Sequence, residues 1–351
     1  MKIIHCADIH LGSKMELKLP IDKLNERKAE VRSTFKSIVD LAKRENVKII
    51  MLSGDVFDGA RAYKKDKEFF YSIVENNPDI DFLYLRGNHD SEEGYNKTYS
   101  NLKLFSDEWV YYNYDNVVIT GIEMTSKNAV SLYSTLNLNE NAVNICMLHG
   151  QVSGSTGLDE INLAKLRDKN IDYLALGHVH SYQAGQLDAR AIYAYSGCPE
   201  GRGYDEFGEK GVILLNVEDK AVSHKFIKLS KRVIHDVRVD ISGAKTDYEV
   251  CLKIKEVAKL NQSDLYRIEL FGSAEYDTDG VEEEARIYLQ GDCYAIYVKD
   301  KSKKKIDVTE IEGDVSLKGE FIRQVLQSDL TEEEKEDVIA LGLTALQGEK
   351  I

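Results

Sequence analysis

Short apolar runs alternate with helical patterns along the first part of the chain. Residues 2–7, 47–52 and 81–85 form apolar runs, which predict buried β-strands. Between them, apolar residues recur at a spacing near 3.6 over residues 22–45, and a second helical pattern covers residues 64–75. Alternation of strand and helix is typical of an open α/β sheet, whose functional sites lie beyond the carboxyl ends of its strands.

The later part of the chain repeats this pattern with fewer helices. One helix is predicted near residues 159–169. The strand candidates are residues 143–148, 173–176, 191–195, 211–217 and 221–229. Two layers of sheet covered by helices are the simplest architecture for this order. The predicted fold is therefore α/β, a two-layer β-sandwich flanked by helices.

The composition shifts near residue 233, where the pattern becomes that of a small α+β module without a ligand-like cluster. The end of the chain is helical, and Thr331 followed by Glu334 predicts a capping box at the start of the last helix. We therefore expect three segments: a main domain over 1–232, an α+β capping domain over 233–313 and a helical C-terminal segment over 314–351.

The composition limits where and how the protein acts. The 351 residues carry a formal net charge of −14, which argues against strong nucleic-acid binding by this surface alone. The five cysteines are widely spaced and form no Cys-x-x-Cys pair, which favours a reducing, cytoplasmic setting. No apolar run approaches the ~18 residues of a membrane span. We expect no cleaved signal peptide, because the N-terminus opens directly into a strand.

Aspartate, asparagine and histidine gather in five short clusters at the ends of predicted strands. Five of the eight histidines lie in these clusters. The clusters are Asp8-Ile9-His10, Gly54-Asp55, Gly87-Asn88-His89-Asp90, His149-Gly150 and Gly177-His178-Val179-His180. Asp-x-His or Gly-Asp alone is common by chance, whereas the ordered set of five at strand ends indicates one shared site.

The residue types of these clusters are those of a two-metal site. Carboxylate, carboxamide and imidazole ligands suit Mn²⁺, Fe²⁺ or Zn²⁺, and the absence of a thiolate counts against structural zinc. The candidate ligands are Asp8, His10, Asp55, Asn88, His149, His178 and His180. This set is too large for one ion with open positions. We therefore expect two ions ~3.5–4 Å apart, with Asp55 as the bridge.

His89 is left over from the ligand set and is the candidate for proton transfer. Followed by Asp90, it suits an imidazole held by a carboxylate and aimed at the leaving group of an in-line displacement. Asp58 and Asp90 are either turn residues or carboxylates that orient imidazoles, and we favour the second interpretation. Asp8 and His10 would project together if the first strand continued that far.

The order of the five clusters, with Gly-Asp-Val-Phe-Asp at 54–58, resembles the calcineurin-like metallophosphoesterase superfamily. Within that superfamily, the opening IIHCADIHLG and the segment YSGCPEGRGYDEFGEKG at 195–211 resemble the bacterial SbcD-type DNA repair nucleases. The similarity covers about residues 1–230, and the tail 319–348 is similar less specifically.

This resemblance implies roles for the cluster residues. One metal would be held by Asp8, His10, Asp55 and His180, and the other by Asp55, Asn88, His149 and His178. His89 would be catalytic and Mn²⁺ the physiological metal. The resemblance also implies a DNA substrate, a nuclease domain followed by a capping domain, a coiled-coil partner ATPase of the SbcC type, and a homodimer.

Two other functions remain open at this point. The same chemistry could act on cyclic nucleotides, nucleotides or phosphoproteins instead of DNA. A chain with a degenerate metal site could serve as a non-catalytic scaffold subunit, although the complete ligand set argues against this. Metal content and a substrate panel would separate these functions.

Several other positions have both a functional and a structural interpretation. His5 is expected to be a satisfied histidine of the core or of a strand edge. The basic stretch 61–67 either contacts a phosphate backbone or is a solvated helix start, and the two are near even. The tyrosines between 95 and 114 are expected to pack in the core, and residues 301–305 to form a solvated loop. The apolar stripe of the last helix faces either a partner or its own domain.

Overall fold

A computed structural model describes residues 1–15, 17, 19–59, 64–90, 98–304 and 315–346. The chain divides into two compact units. The first comprises Met1–Asp236, Leu260–Arg267 and Gln290–Ile296, and the second comprises Val237–Lys259, Ile268–Leu289 and Tyr297–Ile351. The three-segment division expected from the sequence stays a prediction, and its boundary at 313–314 lies outside the described residues.

Strands make up most of the first unit. In chain order they are β1 (Lys2–Cys6), β2 (Ile49–Ser53), β3 (Asp81–Leu85), β4 (Leu102–Leu104), β5 (Val110–Tyr114), β6 (Val117–Gly121), β7 (Val143–His149), β8 (Gln151–Ser153), β9 (Glu160–Asn162), β10 (Tyr173–Gly177), β11 (Gln183–Gln186), β12 (Ile192–Tyr195), β13 (Gly211–Glu218) and β14 (Ala221–Lys228). Five more follow: β15 (Ile234–Asp240), β16 (Leu265–Phe271), β17 (Ser273–Ala274), β18 (Ala295–Asp300) and β19 (Lys303–Lys304).

Helices flank these strands and close the chain. They are α1 (Ile21–Arg44), α2 (Lys64–Glu75), α3 (Leu132–Thr135), α4 (Asp247–Ala258), α5 (Val281–Leu289), α6 (Leu317–Leu326) and α7 (Glu332–Leu346). A single 3₁₀ turn covers Leu163–Lys165. Among the described residues, no helix combines the length and the apolar character needed to cross a membrane.

The first sheet has six strands in the order β14-β13-β1-β2-β3-β4. Strands β1 to β4 pair in parallel, with Ile4 opposite Ile50 and Ile50 opposite Phe82, while β13 and β14 are antiparallel. Both faces of the central strands are buried, which explains their continuous apolar runs. The helices α1 and α2 cover the outer face, where Phe35 and Phe70 stack with ring centroids 5.7 Å apart.

The second sheet has the order β11-β12-β10-β7-β6-β5. Its four central strands are parallel and its two edge strands are antiparallel. Side chains from the inner faces of both sheets, such as Met51, Leu83, Ile145 and Tyr173, form one buried cluster. The predicted two-layer α/β sandwich flanked by helices is therefore confirmed.

The parallel strands of the two sheets end side by side. Strands β1 and β2 end at Cys6 and Ser53, and β7 and β10 end at His149 and Gly177. Beyond these ends, the Asp8 N–H donates to the Gly54 carbonyl at 3.0 Å, and the Gly150 N–H donates to the Gly177 carbonyl at 3.1 Å. The five polar clusters therefore meet at one edge of the sandwich, as expected for the carboxyl ends of parallel strands.

Two expectations about local structure are wrong. The segment 159–169 is not a helix but contains β9, which pairs in parallel with β8, followed by the 3₁₀ turn. Ile161 and Leu166 are fully buried there, so tertiary packing has overridden a helix-like spacing. Strand β1 ends at Cys6, so Asp8 and His10 are not alternate residues of a strand. Helix α5 was not expected from the sequence.

The second unit contains α4, α5 and the helical pair α6–α7. Strands β15, β16 and β18 form a three-stranded sheet. The predicted capping box of α7 is confirmed, because the Thr331 N–H donates to the Glu334 carboxylate at 2.8 Å and the Glu334 N–H donates to the Thr331 hydroxyl at 3.3 Å. Ile339 of α7 packs on Ile322 of α6, whereas Leu341 is exposed. The apolar stripe of α7 is therefore only partly covered by α6.

The tyrosines expected in the core divide between burial and the surface. Tyr112 packs edge-on against Phe105, and the Tyr114 hydroxyl donates to the Asp81 carboxylate at 2.6 Å. Tyr111 is exposed, and Tyr95 lies outside the described residues. At the other predicted loop, Lys301 forms an ion pair with Glu269 in the second unit, and residue 305 is not among those described.

His5 is a fully buried histidine that joins the two sheets. Its Nε2–H donates to the Leu176 carbonyl at 3.2 Å, and its Nδ1 accepts from the Tyr173 hydroxyl at 2.9 Å. The expectation of a satisfied core histidine is confirmed. Burial lowers the pKa of His5 to about 3, because the charged ring would lose its hydration.

We expect His5 to make folding stability depend on pH. In the unfolded chain the ring protonates near pH 6.5, whereas in the folded chain it stays neutral down to about pH 3. Stability is thus lost as the pH falls through this window, by about 1.4 kcal/mol per pH unit. Urea unfolding at two pH values on either side of 6.5 should show a smaller loss in His5→Gln than in the wild type. Equal losses would contradict this assignment.

Candidate metal centre

Four of the predicted ligands have a left-handed backbone. The φ angles are 53° at Asp8, 49° at His10, 53° at Asp55 and 102° at His178. Such angles cost a residue with a Cβ roughly 1–2 kcal/mol. They turn the chain sharply after each strand, so that successive polar side chains face one point. Strain concentrated on candidate ligands is typical of a functional site.

The carboxylate of Asp55 lies between two groups of imidazoles. Its Oδ2 is 3.3 Å from His149 Nε2 and 3.7 Å from His10 Nε2. Its Oδ1 accepts the backbone N–H of His89 at 2.9 Å. The side chain is 2% exposed, so its orientation is fixed by these contacts rather than by water. This is the geometry needed for one carboxylate oxygen shared by two cations.

On one side of Asp55, the rings of His10 and His180 face each other. Their Nε2 atoms are 3.2 Å apart, and their ring planes are inclined at 74°. His10 Nδ1 lies 3.3 Å from Asp58 Oδ1, and His180 Nδ1 lies 2.7 Å from Glu206 Oε1. These acceptors place a proton on each Nδ1 and leave both Nε2 lone pairs directed at one point. A cation bound there would relieve their repulsion.

On the other side lie His149, Asn88 and His178. His149 Nδ1 donates to the Ser53 carbonyl at 2.9 Å, which leaves its Nε2 free of a proton, 3.0 Å from Asn88 Oδ1. The rings of His149 and His178 are perpendicular, with centroids 5.4 Å apart. This group combines an amide oxygen with imidazole nitrogens, a donor set that suits Mn²⁺, Fe²⁺ or Zn²⁺.

Asp8 connects the two groups. Its carboxylate accepts the His178 N–H at 2.9 Å, and its side chain is fully buried. Ligand atoms of Asp8, His10 and His180 lie within 4.8 Å of one another, and so do those of Asp8, Asp55 and His149. The structure thus brings all seven candidate ligands into one cluster, and the residues fit two cations with a shared carboxylate.

The surroundings of His89 differ from the expectation. The Asp90 carboxylate does not hold the His89 ring; it accepts the backbone N–H groups of Phe57 at 2.9 Å and Gly87 at 3.0 Å. Burial raises the pKa of Asp90 to about 6. The carboxylate beside His89 is that of Asp58, whose Oδ1 is 3.5 Å from Nδ1. Asp90 therefore shapes the turn, and Asp58 faces the imidazole.

Glycine is required beside two of the ligands. A Cβ on Gly177 would lie 1.9 Å from the Ser53 carbonyl oxygen, and a Cβ on Gly87 would lie 2.3 Å from Asp55 Oδ1. Both distances are shorter than any tolerable contact. These glycines let the backbone of one cluster approach the ligands of another.

The buried Asp55 and His149 set each other's protonation. Burial favours the neutral form of both, but the hydrogen bond and charge of His149 hold the pKa of Asp55 well below its ordinary value. Against the effect of burial, the same contact raises the pKa of His149 to about 9. The proton on His149 thus balances the carboxylate where no cation is bound, and a cation would take over that role on displacing the proton.

Two cavities open onto the cluster. One of about 400 Å³ is lined by His10, Asp58, His89 and His180 together with Arg202. Another of about 270 Å³ is lined by residues that include Asn88 and His149. The His89 side chain is 48% exposed. A substrate can therefore reach both groups of candidate ligands, and His89 is accessible to it.

Three residues that hold the site were not assigned a role from the sequence. Glu206 and Arg202 lie beside the His180 ring, and Lys210 donates to the His180 carbonyl at 2.7 Å. All three belong to the segment 195–211 that carries the resemblance to nucleases. They lie more than twenty residues from His180 along the chain, so nothing local in the sequence indicates the contact.

The basic stretch expected at 61–67 is described only in part, since Arg61 lies outside the described residues. Lys64 pairs with Glu68 across one helical turn at 3.6 Å. Lys65 lines a third cavity, of about 300 Å³, together with Lys28, Arg32 and the backbone that follows His10. The stretch is thus both a helix start and close to the site, and both interpretations stand.

Comparison with known proteins places the chain in a family. The model of the calcineurin-like phosphoesterases matches residues 1–182. A DNA double-strand break repair protein Mre11 from Sulfolobus acidocaldarius is 26% identical, over 78% of this chain and 75% of its own length. The uncharacterized metallophosphoesterase YhaO of Bacillus subtilis is 28% identical, over 70% and 64%. The SbcD component of the SbcCD nuclease of Rhodobacter capsulatus is 30% identical over only 26% and 22%.

Proposed function

This chain belongs to the calcineurin-like phosphoesterase family and is a metal-dependent phosphoesterase, and we propose that it hydrolyses phosphodiester bonds of DNA. The observation that carries this proposal is the position of Asp55. Its Oδ2 faces His10 on one side and His149 on the other, in a cluster that members of this two-metal family would need intact. A scaffold subunit would not need strained ligands held in this way.

Two divalent cations fit the cluster, and we propose Mn²⁺ rather than Fe²⁺ or Zn²⁺. One would be held by Asp8, His10, Asp55 and His180, the other by Asp55, Asn88, His149 and His178. When bound, such a pair activates water and neutralises charge on the attacked phosphate. The carboxamide of Asn88 and the two carboxylates supply the hard oxygen donors that Mn²⁺ accepts.

His89 is proposed to protonate the leaving oxygen. Its ring lies at the mouth of the larger cavity, with its centroid 5.1 Å from that of His10. Asp58 lies beside Nδ1, so a proton on that nitrogen can be held there while Nε2 faces the cavity. The hydrogen bond from His10 holds the pKa of Asp58 down at about 2, so Asp58 stays charged beside the ring.

DNA as the substrate is supported by the repair proteins among the relatives. The net charge of −14 gives this chain no general attraction for a polyanion. We therefore propose that it acts in the cytoplasm as the nuclease subunit of an SbcCD-like complex, with a coiled-coil ATPase of the SbcC type supplying much of the grip on DNA. Leu341, exposed on α7, offers apolar surface for that partner. A homodimer belongs to the same proposal.

The proposed organisation along the chain is a nuclease domain over 1–232, a capping domain over 233–313 and a helical segment over 314–351. The candidate metal ligands all lie in the first of these. The buried pair α6–α7 forms its own small apolar cluster around Ile322, Val325 and Ile339, which supports a separate role for the last segment.

A substrate panel with purified protein tests the proposal. With Mn²⁺ we expect cleavage of labelled DNA ends and of bis-p-nitrophenyl phosphate, little action on a phosphomonoester, and loss of all activity with a chelator. The partner ATPase should raise the rate on DNA but not on the small diester. Strong monoesterase activity without DNA cleavage would favour nucleotides or phosphoproteins. A protein that holds no Mn, Fe or Zn after reconstitution would favour the scaffold.

A further inference from the structure

Glu206 is a buried carboxylate committed to one predicted ligand. The residue is 4% exposed, and its Oε1 lies 2.7 Å from His180 Nδ1. Arg202 shares that oxygen, with Nη2 at 2.6 Å, and donates its backbone N–H to Oε2 at 2.6 Å. Arg202 Nη2 is also 3.2 Å from His180 Nδ1, but its shorter approach is to Glu206. The guanidinium therefore fixes the carboxylate, and the carboxylate fixes the ring.

The backbone of His180 is held by the same segment. Lys210 is 2% exposed, and its ammonium donates to the His180 carbonyl at 2.7 Å. The Cys198 N–H donates to the same carbonyl at 3.3 Å. His180 is thus fixed at its main chain and at its ring by residues 198–210, although its side chain remains 30% exposed toward the cavity.

Helix α1 anchors this segment at a point away from His180. The carboxylate of Glu200 accepts from Arg27 at 2.9 Å and from the Thr34 hydroxyl at 2.8 Å. Arg27, fully buried, also donates to the Gly201 carbonyl at 2.5 Å. The segment 198–210 therefore contains two buried glutamates with different tasks. Glu206 touches a candidate ligand, and Glu200 touches only the supporting helix.

The three ligand imidazoles with a described Nδ1 acceptor differ in that acceptor. His149 donates to a neutral carbonyl, and His10 lies 3.3 Å from a carboxylate that is 25% exposed. His180 has the shortest contact, to a carboxylate that is 5% exposed. A carboxylate acceptor locks the ring tautomer and makes the opposite nitrogen a stronger donor, and losing such a partner typically lowers metal affinity 10–100-fold.

We propose that Glu206 is a positioning residue that selectively tightens one of the two metal sites, the one formed by Asp8, His10, Asp55 and His180. This inference rests on the two-metal site proposed above and extends it to an unequal pair. Without Glu206 the His180 ring can rotate or change tautomer, and its Nε2 no longer stays on the cation. The second site contains no residue that touches Glu206 in the described contacts, so its affinity is unaffected.

The test is Mn²⁺ binding without any substrate, followed by electron paramagnetic resonance. Wild-type protein should bind two ions per chain and show the signal of a coupled pair. Glu206→Gln should keep one ion at wild-type affinity and bind the other roughly 10–100-fold more weakly, so that an uncoupled signal appears at limiting Mn²⁺. Hydrolysis should then need correspondingly more Mn²⁺ and recover when the metal is in excess.

Glu200→Gln is the matched control, because it removes an equally buried charge from the same segment without touching His180. It should lower the thermal midpoint and leave both Mn²⁺ affinities unchanged. Two wild-type affinities in Glu206→Gln would overturn the proposal, and so would an equal weakening in Glu200→Gln, which would mean that segment folding alone matters. If Glu206→Gln does not fold, Glu206→Asp, which withdraws the oxygen but keeps the charge, should show the same selective loss.

The substrate assay fails independently of this test. A wild-type protein that binds two Mn²⁺ ions but does not cut DNA would contradict the substrate and leave the role of Glu206 to be decided by the titration. A wild-type protein that binds a single ion would contradict both proposals at once.

Discussion

Replacing Asp55 by asparagine should lower phosphodiester hydrolysis by more than about 100-fold, because a shared ligand matters more than the residues that support it. The substitution keeps the shape of the side chain but removes the charge between His149 and His10. Each cation would lose its common anionic ligand, and the two would repel each other across a neutral amide. Metal analysis of Asp55→Asn should find fewer than two ions per chain, and turnover of bis-p-nitrophenyl phosphate should be at background.

A buried aspartate outside the site provides the control for this variant. Asp172 is 8% exposed and accepts from Arg190 at 2.8 Å in a purely structural ion pair. Asp172→Asn should reduce the free energy of unfolding and retain metal content and turnover. If Asp55→Asn kept two ions and normal turnover, Asp55 could not be the bridge, and the assignment of both metal sites would be wrong.

The strand ends could be predicted because the information is local. The apolar runs of β1, β2, β3, β7 and β10 stop where a polar cluster begins, and parallel strands bring their carboxyl ends to one edge. The order of the clusters then suffices to place seven side chains near one another. The structure brings them together, while their roles as ligands stay a proposal that the metal analysis above will decide.

The sequence could not predict how the ligands are turned toward that point. Asp8, His10 and Asp55 adopt left-handed backbone, which is uncommon for residues with a Cβ and is imposed by the surrounding structure. The expectation of a continuing strand reached the correct neighbourhood through an incorrect geometry. The segment 159–169 failed for a related reason, since burial of Ile161 against the sandwich decided its conformation.

The acceptors behind the imidazoles were also beyond the sequence. Sequence proximity suggested Asp90 for His89, but the chain turns at Gly87 and directs that carboxylate back to its own loop. Asp58, thirty-one positions away, faces the ring instead. Such partners are chosen by the packing of loops, which no local pattern records. They decide which nitrogen of each ring is available, and therefore what the cluster can bind.

His89→Ala should keep both metal ions and lower kcat on DNA by a factor on the order of 10²–10⁴, the range for a lost acid–base group. The ring is half exposed and is not needed to hold Asp55, because the contact to Asp55 comes from the His89 backbone N–H. The alkoxide leaving a DNA strand needs a proton, whereas p-nitrophenolate leaves readily without one. The same variant should therefore lose much less activity on bis-p-nitrophenyl phosphate than on DNA.

The contrast between leaving groups separates proton transfer from a loss of structure. Equal losses on both substrates would point to disturbed metal or substrate binding, and full turnover on DNA would remove His89 from the mechanism. His235→Ala serves as the control, since that ring pairs with Asp264 at 2.9 Å and stacks on Tyr266, away from the candidate ligands. Asp58→Asn should reproduce part of the His89 effect, because it leaves the ring in place and removes the carboxylate beside Nδ1.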